Sequence, residues 1–135
     1  MFEHFIAAQE SVYPQVLAEL RAGAKRSHWM WFIFPQLREL GRSETARRFG
    51  LGGLGEAKAY AAHEILGARL RECVRLANAA EGKSATALFG APDDLKYRSC
   101  ATLFLAATGE ALFQAALDRF YDGEGDPLTL AALRR

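Results

Sequence analysis

A chain of 135 residues with 50% hydrophobic and 24% charged residues lies near the averages of globular domains, which excludes the disordered, collagen-like and disulfide-scaffold classes. Its net charge of +1 supplies no general field for nucleic acid. The two cysteines, Cys73 and Cys100, show neither CxxC nor Cys/His ligand spacing and sit in apolar helical patterns, as reduced, buried thiols of a reducing compartment do.

Along the chain, apolar residues recur at helical spacing and no segment alternates with the period of a strand. The opening MFEHFIAAQE carries Glu3 where a secretion signal has positive charge and lacks a continuous apolar run, so export is not expected. After Ser11, the residues Val12, Val16, Leu17 and Leu20 form one helical stripe, with Pro14 tolerated in the first turn and Gly23 as a stop. Ser27 is placed to cap a helix through the FIF run, which Pro35 ends by pushing Phe34 out of helical geometry. Residues 43 to 49 make another turn or two, and the glycines at 50, 52, 53 and 55 read as a flexible connector within one domain.

From Ile65 to Ala80, Leu66, Leu70, Cys73, Val74 and Ala77 oppose Arg69, Arg71, Glu72, Arg75 and Asn78, the signature of a helix with one buried face. Ser84 caps a short turn ending at Phe89 and Gly90. Pro92, Asp93 and Asp94 then open a helix running to about Thr108, whose CATLFLAA half is apolar on every side and belongs at the centre of the fold. Glu110 to Phe120 is one-faced again, and Asp126 with Pro127 starts a last helix that suits Arg134 and Arg135 at its negative end. The expectation is an all-α fold, a single domain over residues 1–135, with about seven or eight short-to-medium helices around a central buried helix at residues 92–108. The most apolar stretches are much shorter than the roughly 20 residues that span a bilayer, so a cytoplasmic protein without membrane contact is expected.

Chemistry-bearing motifs are few. There is no P-loop, HExxH or GxSxG, and LGGLGEA imitates a phosphate loop without the preceding strand that such a loop needs. His4, His28 and His63 lack the paired spacing of a metal site, so no metal and no cofactor are assigned. His63 is better placed to start a helix than to catalyse.

The informative stretch is KRSHWMWFIFPQL, residues 25 to 37, which holds both tryptophans. Wound as a helix, His28, Trp31 and Phe32 share one side, whereas Trp29 and Ile33 lie on another. An indole seeks a partner for its N–H, and a half-open groove with an indole wall, an imidazole, basic side chains and the amide of Gln36 suits a flat anionic ligand such as a nucleotide derivative. Packing is the competing account: both tryptophans as core wedges, His28 as a helix-start residue, and Lys25 and Arg26 solvated. A second polar cluster, DDLKYRS at residues 93 to 99, is explained by ion pairs Asp94–Arg98 and Asp93–Lys96 on a helix surface. Alternatively, Lys96, Arg98 and Ser99 stand at the rim of a binding site. Residues 21 to 48 carry seven basic against two acidic side chains, a local +5, but no nucleic-acid fold motif accompanies them and the total charge argues against that partner.

The segments AQESVYPQVLAELRAGAKRSHWMWFIFPQL, GRSETARRFG, AYAAHEILGARLREC, SATALFGAPDDLKYRSCATLF and RFYDGEGDPLTLAALR resemble a bacterial and fungal family of small proteins labelled as a domain of unknown function, typified by an uncharacterised mycobacterial protein. The resemblance spans essentially the whole chain, and HWMWFIFPQ is its specific part. It implies an all-α single domain and no established activity; Lys25, Ser27, His28, Trp29, Trp31, Phe34, Pro35, Gln36, Asp94, Lys96 and Ser99 match the family's signature. Some members carry a "calpastatin-like" label, whereas this composition implies a compact core rather than the extended chain of a calpastatin.

The functional expectation joins the two clusters. Residues 25 to 36 and the start of the 92 to 108 helix would form a groove for a small anionic or nucleotide-like ligand, with hydrolase-type activity as an extension. His28 is the acid/base candidate, Trp31 the stacking wall, Lys25, Lys96 and Arg98 the anion contacts, and Ser27, Gln36 and Ser99 further ligand-binding candidates. The alternative is a protein–protein interaction module, monomer or homodimer, that uses the aromatic face without catalysis.

Overall fold

Why the CATLFLAA segment is apolar on nearly every side becomes plain from its neighbours. In the computed structural model, which describes residues 1–135, the helix Asp93–Thr108 (α8) runs through the middle and buries Tyr97, Cys100, Ala101, Thr102, Leu103 and Phe104. Around it lie α1 (Glu3–Glu10), α2 (Tyr13–Ala22), α3 (Met30–Ile33), α4 (Glu44–Arg48), α5 (Leu54–Ala62), α6 (Leu66–Asn78), α7 (Ala85–Phe89), α9 (Ala111–Phe120) and α10 (Pro127–Leu133), with a 3-10 turn at Arg38–Leu40. α8 packs directly on α5, α7, α9 and α10, and α6 bridges α2, α5 and α9. The fold is all-α around a central helix, with one core of 30 buried residues. The only extended pairing is an isolated parallel bridge between Leu37 and Leu51. No helix is long and apolar enough to cross a membrane.

The local signals act as physical chemistry requires. Gly23 ends α2 in the left-handed region at φ 72°, where a side chain would be strained. Ser84 accepts a hydrogen bond from the Ala87 amide and Asp126 from the Thr129 amide, each satisfying an amide that the first helical turn leaves open. His63 ends α5 and turns its Nδ1 to the amides of Ile65 and Leu66, at 3.1 and 3.2 Å, so its role is indeed at a helix start. Cys73 and Cys100 are free and buried.

Four expectations need correction. Ten α-helices form rather than seven or eight, the additional two being α1 and α5. The glycine-rich stretch is not a flexible connector: Gly55 lies within α5, whose buried face of Ala57, Tyr60 and Ala61 offers too little large apolar surface to stand out as a stripe. Gly50 is a close-approach residue, because a Cβ there would sit 2.4 Å from the Cα of Arg38. Ser27 caps no helix; α3 begins at Met30, and the Ser27 hydroxyl donates instead to Glu19 at 2.6 Å. Finally, Arg98 does not pair with Asp94. Its Nε donates to the Glu124 carbonyl at 3.0 Å, while Asp94 accepts from the Thr86 hydroxyl at 2.7 Å, so tertiary partners replace the i,i+4 pair. The Asp93–Lys96 pair does form, at 3.3 Å.

Candidate functional site

The turn that carries residues 24 to 29 is built on one buried carboxylate. Glu19, 3% exposed on α2, accepts the backbone amides of Arg26 and Ser27 and the indole N–H of Trp29 on Oε1, at 2.6, 2.9 and 3.0 Å. Its Oε2 accepts the Ser27 hydroxyl at 2.6 Å and the Gln15 amide at 2.8 Å. Burial alone would raise the Glu19 pKa, but the hydrogen bonds from Ser27, Arg26 and Gln15 outweigh it and push it down to about 2. Glu19 went unread in the sequence, although it lies three residues after Val16 and beside Leu20, on the face that α2 buries.

Fixed in this way, the turn delivers its side chains to three different places. Trp29 is 1% exposed and packs in the core against Phe34, with ring centroids 6.1 Å apart. Lys25 also turns inward: its ammonium lies 2.8 Å from the Asp93 carboxylate, donates to the Ser27 carbonyl at 2.6 Å and sits 5.0 Å from the Trp29 ring centroid. With a side chain only 7% exposed, Lys25 is committed to holding α8 against the turn. His28 is exposed and does not line the cavity described below. Trp31 and Phe32 are half-buried, whereas Trp29 and Ile33 are buried; Phe32 packs on Phe49 with ring centroids 5.3 Å apart, and His28, which precedes the start of α3 at Met30, shares no helix face with Trp31 or Phe32.

Trp31 faces a cavity of about 590 Å³, within the size range of small-molecule sites. The segment after α3 contributes Gln36 and Leu37, and the 3-10 turn contributes Leu40. Arg42, Ser43, Ala46 and Phe49 come from the ends and body of α4. α8 turns Pro92, Leu95, Lys96 and Ser99 toward it, the spacing of one helix face. Asp126 and Leu128, at the start of α10, complete the wall.

Of the candidate residues, the fold brings Trp31, Gln36, Lys96 and Ser99 to this one cavity. Lys96 holds its ammonium 4.8 Å from the Trp31 ring centroid, a cation–π contact, and shares Asp93 with Lys25. Because Lys25 already neutralises Asp93, a net positive charge remains at this end of the cavity. The side-chain amide of Gln36 has no partner within the chain, and Arg42 has no ion pair. Lys25, Ser27, His28 and Arg98 stay outside the lining: Ser27 and Lys25 serve the Glu19 and Asp93 networks, and Arg98 stacks over Tyr121 with its guanidinium carbon 5.6 Å from the ring centroid. Arg42 and Asp126 are lining residues that the sequence reading missed as site members; Asp126 was visible only as a cap. No cluster of His, Cys, Asp and Glu is disposed to hold a metal ion.

A family model described as a protein of unknown function, DUF1810, matches residues 1–133. The chain belongs to this family. Among solved structures, the DUF1810 chain is similar to the conserved hypothetical protein Rv1873 from Mycobacterium tuberculosis at 50% identity, over 99% of this chain and 96% of that one, with a TM-score of 0.97. The resemblance read from HWMWFIFPQ and its companion segments therefore holds, as does the all-α fold it implied. No curated protein matches the sequence.

Proposed function

We propose that this DUF1810 protein binds a small anionic, nucleotide-like molecule in the cavity between α3, α4, α8 and α10. The observation that carries the reading is convergence: an indole, an unpartnered amide and two cations reach one enclosure from segments some sixty residues apart in sequence. Lys96 and Arg42 supply charge for the anion, Trp31 and the apolar wall supply a surface for a flat ring, and Gln36 orients it. The reading is one of binding. His28 stands outside the cavity, so no acid/base role is assigned to it here. A reducing, cytoplasmic setting fits the two buried free thiols, of which Cys73 is pushed up to about 12 by burial.

Thermal shift of the purified chain against the four nucleoside 5′-monophosphates, beside Trp31→Leu and Lys96→Met, tests the reading. A ligand that binds only the folded state stabilises it by about 2.7 kcal/mol at a hundred times its dissociation constant. The expected result is a raised midpoint in the parent for at least one nucleotide, lost in both folded variants. No shift with any of the four, or a shift that survives both substitutions, overturns it.

A second reading, docking of a protein partner, is favoured by one observation: Leu95 and Leu128, 59% and 64% exposed, both border the cavity. Concentration-dependent light scattering with Leu95→Ser and Leu128→Ser variants separates a homodimer from a ligand-binding monomer.

A further inference from the structure

One residue of the cavity lining is a carboxylate, which an anion cannot use. Asp126 is held in place through one oxygen: Oδ2 accepts the Ser99 hydroxyl at 3.0 Å, the Thr129 amide at 3.1 Å and the Thr129 hydroxyl at 2.6 Å. Its backbone amide donates to the Thr102 hydroxyl at 2.8 Å, which itself donates to the Arg98 carbonyl, so the residue is tied to α8 by main chain as well. Oδ1 has no partner in the protein. Every buried side-chain polar atom in the chain is satisfied, so this oxygen is open to solvent, on a residue that lines the cavity. An ionised carboxylate only accepts hydrogen bonds and repels anions. What it takes from a ligand is a donor.

We propose that the anion bound here carries a hydroxylated ring beside its charge, the ribose phosphate portion of a nucleotide, with Asp126 accepting the sugar hydroxyls. The proposal rests on the nucleotide-binding reading above and narrows it to a ligand class. Position along α8 supports it. Lys96 and Ser99 are three residues apart on one face of α8, a rise of about 4.5 Å, so the backbone positions from which the cation and the Ser99–Asp126 pair project are nearly one helical turn apart. A phosphate on the exocyclic carbon of a pentose stands at a comparable distance from the ring hydroxyls. Phosphate at Lys96 and Arg42 therefore directs the hydroxyls toward Oδ1 and keeps the two negative groups apart. An anion without hydroxyls leaves the Asp126 carboxylate in the same lining without a donor, which makes the carboxylate a selector as well as a contact.

Isothermal titration of the full chain decides it, with adenosine, guanosine, cytidine and uridine 5′-monophosphates, the 2′,3′-dideoxy form of whichever binds, and inorganic phosphate as probes. The expected result is at least tenfold tighter binding of the ribonucleotide than of its dideoxy form. Asp126→Asn should reduce that ratio to near one while keeping the α10 cap through its amide oxygen. Equal affinity of the two forms in the parent overturns this proposal and leaves the nucleotide reading standing, whereas phosphate alone binding as tightly as the nucleotide overturns both. Failure of all four monophosphates to bind overturns both. The comparison in the parent needs no variant, so an unfolded Asp126→Asn protein would not spare the idea.

Discussion

Glu19→Gln is the substitution that most directly challenges the account of residues 24 to 29. The carboxylate accepts five hydrogen bonds in a nearly water-free position, whereas a glutamine offers one acceptor oxygen and turns an amide N–H₂ toward groups that must donate. Its size follows from linkage. A carboxyl that falls from 4.5 to about 2 on folding contributes about 3 kcal/mol. Leaving one or two buried donors unpaired, at about 1–3 kcal/mol each, gives a similar figure by a separate route. For a domain of this size, that loss lowers the melting midpoint by about 10 °C. Because the folded-state pKa is depressed, the stabilisation is complete above pH 4.5 and disappears as the pH falls toward 2. Urea unfolding of parent and Glu19→Gln, followed by far-UV circular dichroism over a pH series, should show a gap of about 3 kcal/mol at neutral pH that closes in acid. A gap below about 1 kcal/mol at pH 7, or one independent of pH, would refute the reasoning.

Lys25→Met should cost about 3 kcal/mol in urea unfolding, because it strips the buried partner from Asp93, and Asp93→Asn in the same chain should restore part of it. Gly50→Ala forces its Cβ against the backbone of Arg38, so a loss of about 1–3 kcal/mol is expected, with weaker nucleotide binding by titration as the adjoining cavity wall shifts. His28→Ala, at an exposed position outside the cavity, should change stability by no more than about 0.5 kcal/mol and leave the thermal shift with nucleotides intact; loss of that shift would return His28 to the site.

Large apolar residues and the caps at Ser84 and Asp126 are legible, the one expected at Ser27 is not, and neither are small residues or shared polar atoms. α6 and α10 follow from their stripe and cap, and α8 shows itself as a run too apolar to face water. α5 escaped because Ala57 and Ala61 are buried without looking hydrophobic in a pattern, and the glycines before them resemble a linker. At the cavity, helical spacing separated Trp31 from Trp29 correctly, and the stretch holding both proves to be core and cavity wall at once. The basic cluster could not be resolved in the same way. Whether a lysine reaches water or a buried carboxylate depends on a helix that arrives from residue 93, and sequence spacing holds no trace of that meeting. Asp126 shows the limit most plainly, since its capping oxygen accounts for the residue so well that nothing in the sequence asks about the other one.

The bridge between Leu37 and Leu51 also bears on how such a site could diverge. Leu51 donates its amide to the Gln36 carbonyl and accepts the Arg38 amide, both at 2.8 Å, so this wall of the cavity is pinned by main chain on each side of Leu37. Backbone pairing is indifferent to what the side chains are. Replacements at Gln36, Leu40 or Arg42 can therefore alter what the cavity accepts while its outline stays put, and relatives with the same shape need not share a ligand.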